Sequence, residues 1–300
     1  MLAPELMARV SQIQVRTRRL VNDVLAGAYR STFRGSGIEF EEVRPYLPGD
    51  DVRSIDWNRT AHTGETYVKT YIEERELTLM FLVDCSRSMD FGSVEYTKRE
   101  TAAQFAALLA FVAQRQQDRV GLCLFGEEPG LHLPPRKGAG SVARVIREVI
   151  AAPAAAGGAD FEAVLELQAR TLRRHTLLFL ISDFHGGLPQ GSDTLVRVAR
   201  KHEVVAVRIS DPFEERLPAA GRIALRDLET GASVEVDTRS QRVREAWATR
   251  AQERRERVER DLVRAQIELV DLTTAASIAD PVVRFFNRRR PRRPGGGWGG

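Results

Sequence analysis

The chain has 300 residues, 43% of them hydrophobic, a formal net charge of +4 and two cysteines. That length fills one large or two modest domains with a substantial core, and two thiols are too few for a disulfide framework. Six arginines and no acid fall within residues 281–300, so the first 280 residues carry about −2, which argues against a broad nucleic-acid face on the body.

Residues 3–26 read as one amphipathic helix, with Leu6, Val10, Ile13, Leu20, Val21 and Leu25 on one face and a stop near Gly27. The first residues lack the apolar core and small-residue cleavage site of a secretory signal, so a cytoplasmic location is expected. A turn-rich segment follows over 34–76, with signals at Gly35, Gly37, Pro48-Gly49 and Gly64 between short extended pieces, and is expected to form a β-rich N-terminal extension. In it, Tyr46, Pro48, Gly49, Ile55 and Trp57 suggest a turn locked by an aromatic anchor. Arg44, Asp50, Asp51, Arg53 and Asp56 alternate in sign and suit either a buried ion network or, with Trp57, a partner surface.

From Leu77 the pattern alternates apolar strands with amphipathic helices. Strands are expected at 77–84, 119–125, 176–182, 203–209 and, more weakly, 267–272; helices at 94–116, 140–151, 160–173 and 193–201. Apolar strands separated by helices imply an α/β fold, a doubly wound and mostly parallel sheet covered on both faces. Cys85 and Cys123 fall in or beside its central strands and read as reduced core thiols. The longest nearly unbroken apolar run after the first strand, Phe105 to Ala113, is far short of the roughly 20 residues of a membrane span.

Residues 211–237, with "ETGAS" between two alternating runs, read as an inserted hairpin. Residues 239–265 form a long charged helix with Val243, Trp247, Ala251, Val258 and Leu262 as its inward stripe. Residues 281–300 read as a disordered basic tail. Its arginines, with Phe285, Phe286 and Trp298, could hold the protein on anionic membrane, such as the inner membrane, or on nucleic acid, without a span.

The chemistry concentrates at two strand ends. "DCSRS" places Asp84, Ser86 and Ser88 where the first apolar strand gives way to a loop, and "LLFLISDFHGG" ends a later strand in Asp183. In doubly wound sheets ligands collect outside such carboxyl ends, and one or two carboxylates with hydroxyls suit Mg²⁺ or Mn²⁺. The two acids can meet only if their strands are neighbours. A serine nucleophile is disfavoured because the G-x-S-x-G elbow is missing, and neither a G-x-x-x-x-G-K-[ST] loop nor H-E-x-x-H is present. An alternative is a Mg²⁺-dependent phosphoester hydrolase using Asp84 and Asp183, with His185 as base. His62, His132, His175 and His202 show no ligand spacing.

Asp-x-Ser-x-Ser, a Gly-Gly loop and a late strand-end Asp resemble the metal-ion-dependent adhesion site of von Willebrand factor type A domains. "EFEEVRPYLPGDDVRSIDWNRTA", Glu39 to Ala61, resembles the signature of the bacterial "domain of unknown function 58" family, whose members carry that domain. The resemblance implies metal ligation by Asp84, Ser86, Ser88 and Asp183, filled out by an acidic side chain of a bound partner. It also implies an adaptor or chaperone-like role with a MoxR-type AAA+ ATPase and a client protein. Two positions depart from the pattern. Ala159 stands where the type A loop has Thr, leaving Asp160 as a substitute ligand or a helix cap, and His62 stands where the signature commonly ends in Arg.

Overall fold

A computed structural model describes residues 4–21, 23–33, 39–72, 76–155, 157–188, 193–228 and 230–289. In chain order the elements are α1 (Pro4–Leu20), α2 (Asp23–Phe33), β1 (Glu39–Pro45), α3 (Trp57–Thr63), β2 (Tyr67–Ile72), β3 (Thr78–Asp84), α4 (Lys98–Arg115), β4 (Arg119–Phe125) and β5 (Pro129–Arg136). There follow α5 (Ala139–Ala151), α6 (Phe161–Thr171), β6 (Leu177–Ser182), α7 (Asp193–Lys201), β7 (Glu203–Ser210) and α8 (Pro212–Glu215). The last elements are β8 (Arg222–Arg226), β9 (Ser233–Asp237), α9 (Gln241–Arg264), β10 (Glu268–Thr273) and α10 (Ala279–Arg289).

The central sheet has six strands in the order β10-β7-β6-β3-β4-β5. All its neighbours pair in parallel except β4 and β5. The chain therefore winds outward from β3 through β4 to β5, returns to β6 on the other side of β3, and winds outward again. The reversal lies between β3 and β6, which is where a doubly wound sheet opens a crevice at its carboxyl edge. Residues Leu79 to Asp84 of β3 and all of β6 are buried, as expected for strands covered on both faces. One face carries α1, α2, α4, α5 and α10 over Phe81 and Phe179; the other carries α6, α7 and the end of α9 over Met80, Leu82 and Leu180. Phe179 stacks on Phe81 at 5.7 Å and meets Phe105 of α4 edge-on at 5.5 Å.

Four expectations are corrected. The N-terminal helix is divided into two, so that Val10 and Ile13 of α1 face α4 while Tyr29 of α2 turns to Phe286 of α10, 5.9 Å away edge to face. The strand β5 is masked in the sequence by Pro129, Pro134 and Pro135; it is tolerated as an antiparallel edge, where missing N–H donors break few ladder bonds. In the 34–76 segment β1 and β2 pair antiparallel, but the excursion between them holds the helix α3 as well as turns. Finally, the start of the expected basic tail is helical: α10 buries Val282, Phe285 and Phe286 in the core, and Arg289 pairs with Glu268 at 2.8 Å and with Glu203. The remainder of that segment, with Trp298, lies outside the described residues. The β8–β9 hairpin falls within the expected insertion, and α9 within the long charged helix, although only Val258 and Leu262 of its stripe are fully buried.

Candidate functional site

Asp84 is the last residue of β3 and Asp183 the first after β6, and these strands are direct neighbours, with Val83 opposite Ile181. The pairing the sequence could only postulate is thus a consequence of the sheet order. Asp84 is 1% exposed. Its Oδ1 accepts the Ser86 N–H at 2.7 Å and its Oδ2 accepts the Ser182 hydroxyl at 2.6 Å. Burial, reinforced by the Asp183 charge, pushes the Asp84 carboxyl up to about 6. Ser86 and Ser88 bring their hydroxyls to 3.1 Å of each other. Cys85 and Cys123 are buried, and burial pushes both thiols up to about 12, so neither is a nucleophile at neutral pH.

The loop that should complete the set approaches closely. Ser86 bridges to Ala155, the Ala155 N–H donates to the Cys85 carbonyl at 2.8 Å, and Asp160 N–H donates to the Gly126 carbonyl at 2.7 Å. A Cβ on Gly126 would lie 2.2 Å from that of Ala155, so only glycine admits the loop. Yet Ala159 brings a methyl group that packs beside the apolar cluster over Met80 and Leu82. Asp160 is exposed and caps α6, accepting the Ala163 N–H at 3.0 Å.

Asp183 is held by the turn that follows it. Phe184 adopts φ of +55°, costly for a residue with a Cβ, and is fixed by stacking on Phe161 at 5.4 Å and by donating its N–H to Ser182 Oγ at 2.9 Å. This turn lets His185 donate its backbone N–H to Asp183 Oδ1 and set its Nδ1 against Oδ2, both at 3.0 Å.

The sequence reading missed the third partner. Lys98, at the first position of α4, is wholly buried and extends its Nζ to Asp183 Oδ2 at 2.6 Å and to Glu214 Oε1 at 2.5 Å. Burial works against its charge, but Asp183 and Glu214 outweigh that and raise its pKa. Burial likewise disfavours the charged form of Asp183, yet His185 and Lys98 hold its carboxyl well below the usual range. The imidazole of His185 loses by burial and gains more from Asp183, so its pKa is raised. The His185 Nδ1 is already engaged by Asp183, which ties up the imidazole that a general base would need free.

Glu214 is positioned by α8. Asp211 caps that helix in a reciprocal box with Glu214, and its carboxylate also accepts the Ser93 N–H at 2.9 Å and the Thr274 hydroxyl at 2.7 Å, tying the loops after β3, β7 and β10 together. Trp247 of α9 donates its Nε1–H to the carbonyls of Phe213 and Glu214 at 3.1 and 3.0 Å. An open cleft of about 640 Å³ lies outside this cluster, lined by His185, Glu214 and Arg255 among others. The only signal for Lys98 in the sequence is a lysine opening a helix, a position that on dipole grounds favours an acid.

The donors do not fit a hexacoordinate Mg²⁺ or Mn²⁺. Ser86 and Ser88 are bonded to each other through their hydroxyls, both Asp84 oxygens are engaged, Asp183 is neutralised by an ammonium, and Ala159 offers no oxygen.

In the signature segment Arg44 grips Asp50 through two bonds of 2.8 and 2.7 Å, and Asp50 also accepts the Leu47 N–H at 2.9 Å. Asp51 accepts Arg53 N–H at 2.9 Å, and Asp56 caps α3 through Arg59 N–H at 3.2 Å. These charges shape the loop locally, and none of the five side chains is buried. Trp57 is 69% exposed, so it is not the anchor the sequence suggested.

A family model described as "Protein of unknown function DUF58" matches residues 42–257, spanning this segment, the strand ends and most of α9. The chain belongs to the DUF58 family. Uncharacterized protein Rv1480 of Mycobacterium tuberculosis is 31% identical over 289 residues, covering 96% of this chain and 90% of that protein. Among solved structures, this DUF58 chain is similar to the conserved hypothetical protein BatB from Bacteroides thetaiotaomicron, at 14% identity and a TM-score of 0.46, covering 71% of this chain and 98% of that one. It is also similar to the von Willebrand factor type A structure from Catenulispora acidiphila, at 13% identity and a TM-score of 0.41, covering 75% and 45%. Among the described residues no helix is long and apolar enough to cross a membrane.

Proposed function

We propose that the chain is a protein-interaction module, not an enzyme, and that it grips its partner with the excursion between β1 and β2. The observation that carries this is the exposure of Leu47, Val52 and Trp57, at 60%, 62% and 69%, on a loop whose backbone is fixed by Arg44, Asp50, Asp51 and Asp56. Exposed apolar side chains on a preorganised loop lose little entropy on binding, and tryptophan is a frequent anchor of interface energy. Arg53 and Arg59 flank them, and the Arg59 guanidinium lies over the Tyr67 ring at 5.2 Å.

The partner class implied by the family resemblance is a MoxR-type AAA+ ATPase, with the chain as adaptor toward a client protein. The metal-bridged form of that reading would use the strand ends, whose donor set does not favour it. The test is binding of the purified MoxR-type ATPase of the same organism to the immobilised chain. Trp57→Ala should weaken binding by about 30-fold, corresponding to a hot spot of about 2 kcal/mol, and chelator should leave it unchanged. Unaltered affinity in Trp57→Ala, or loss in chelator, would return the interface to the strand ends.

A further inference from the structure

A site that gathers Asp84, Asp183 and Glu214 at the carboxyl edge of a sheet needs a cation, and in this chain the cation is covalently attached. Lys98 Nζ lies within 2.6 Å of Asp183 and 2.5 Å of Glu214, and the side chain is 0% exposed. Asp183, His185 and Glu214 offer donor atoms within 4.8 Å of one another, an Asp-His-Glu set of the kind that takes Zn²⁺ or Mn²⁺. The ammonium is bonded to two of these three residues. A divalent ion placed there would have to share both carboxylates with Lys98, against the repulsion of like charges.

We infer that Lys98 is the resident cation of the strand-end site: it makes that site independent of divalent metal, and removing its ammonium opens Asp183, His185 and Glu214 to a transition-metal ion. The location of Lys98 supports a built arrangement. Thr97 and Glu100 form a capping box that fixes the first turn of α4, with the Glu100 N–H donating to Thr97 Oγ1 at 3.1 Å and the Thr97 N–H to Glu100 Oε2 at 2.9 Å. Gly92 permits the close return of the preceding loop, since a Cβ there would lie 2.6 Å from the Tyr96 carbonyl oxygen. On the other side, Trp247 and Asp211 hold Glu214 in place. The raised pKa of Lys98 keeps the ammonium charged throughout the neutral range.

The experiment is calorimetry and thermal melting of the full chain and of Lys98→Met with Mn²⁺ and Zn²⁺, with Mg²⁺ added for the wild type. The wild type should show no saturable Mg²⁺ or Mn²⁺ binding and no change in Tm. Lys98→Met should bind one Mn²⁺ or Zn²⁺, with the Tm lost through the substitution recovered as the ion is added, and the low-temperature Mn²⁺ resonance should broaden on binding. Saturable Mg²⁺ binding by the wild type that is lost in Asp84→Ala or Asp183→Asn would overturn the inference. So would a folded Lys98→Met that takes no metal. If Lys98→Met is unfolded, restoration by metal or by a second substitution, Asp183→Asn, supports charge compensation by Lys98, and restoration by neither overturns it. The outcome is independent of the Trp57 surface, which lies on another segment.

Discussion

The strand-end crevice and the β1–β2 excursion spend similar residues in opposite ways. In the crevice the buried Lys98 and Asp183, with Glu214 and His185 on the more open side, compensate one another over 2.5–3.0 Å contacts between carboxylate and cation. In the excursion Arg44, Asp50, Asp51 and Asp56 bond to their own loop and leave Leu47, Val52 and Trp57 facing outward. Charges compensated in a buried place fix a shape, whereas charges that brace an exposed turn leave its apolar groups available. A cluster of acids is therefore a weak guide to a ligand, and an exposed tryptophan on a braced loop is a better one.

The largest test concerns the body that frames the crevice. Truncation after Asp280 removes Val282, Phe285 and Phe286 from the core. Burying a phenylalanine is worth about 3–5 kcal/mol in large-to-small substitutions, so losing two exhausts much of a typical stability of about 5–15 kcal/mol. Circular dichroism should find the truncated chain unfolded or molten, and a native melt would detach α10 from that body.

Lys98→Met comes next. Taking the ammonium from between Asp183 and the half-buried Glu214, with only His185 left beside them, should cost about 3–5 kcal/mol in urea denaturation without metal, and the double substitution with Asp183→Asn should recover more than half of it. A loss below about 1 kcal/mol would mean that the crevice charges are as solvent-screened as surface pairs.

Asp84 gives a smaller effect with a definite sign. Its folded-state value, about 6, lies above the ordinary 3.8. The ionised carboxylate thus costs stability that is fully felt above about pH 6 and absent below about pH 4, and a shift of this size corresponds to at most ~3 kcal/mol. Asp84→Asn keeps an acceptor for the Ser86 N–H. It should match or exceed the wild type in unfolding free energy at pH 7.5, with the advantage vanishing at pH 4. A variant weaker than the wild type at pH 7.5 would show that the carboxylate charge is needed there, as a bound cation would require.

The smallest effect sharpens the contrast. Trp57→Ala should change stability by no more than about 0.5 kcal/mol, because the side chain is largely in solvent. A Tm drop of many degrees would mean that Trp57 anchors the loop after all.

Much of this was legible in the residues. Continuous apolar runs marked β3, β4, β6 and β7, since a strand buried on both faces needs no polar alternation. The β5 edge was hidden because its prolines speak against a strand, and an edge position that excuses them is a property of the sheet. Phe285 and Phe286 looked like part of a basic tail because the arginines around them dominate the local composition, while their burial depends on the distant Tyr29.

The order of residues is enough to put Asp84 and Asp183 at the ends of two apolar strands, to leave the Ala159 position without a hydroxyl, and to crowd Arg44, Asp50, Asp51 and Asp56 into a turn. These follow from local order, which alternation, turn chemistry and caps express within a few residues. That the two acids are neighbours follows from the β3–β6 pairing, and that the cation between Asp183 and Glu214 is Lys98 follows from the packing of residues 85 and 116 positions apart along the chain. The physical reason is that charge compensation in a buried site depends on distances of a few ångströms, which the sheet order sets and sequence separation does not.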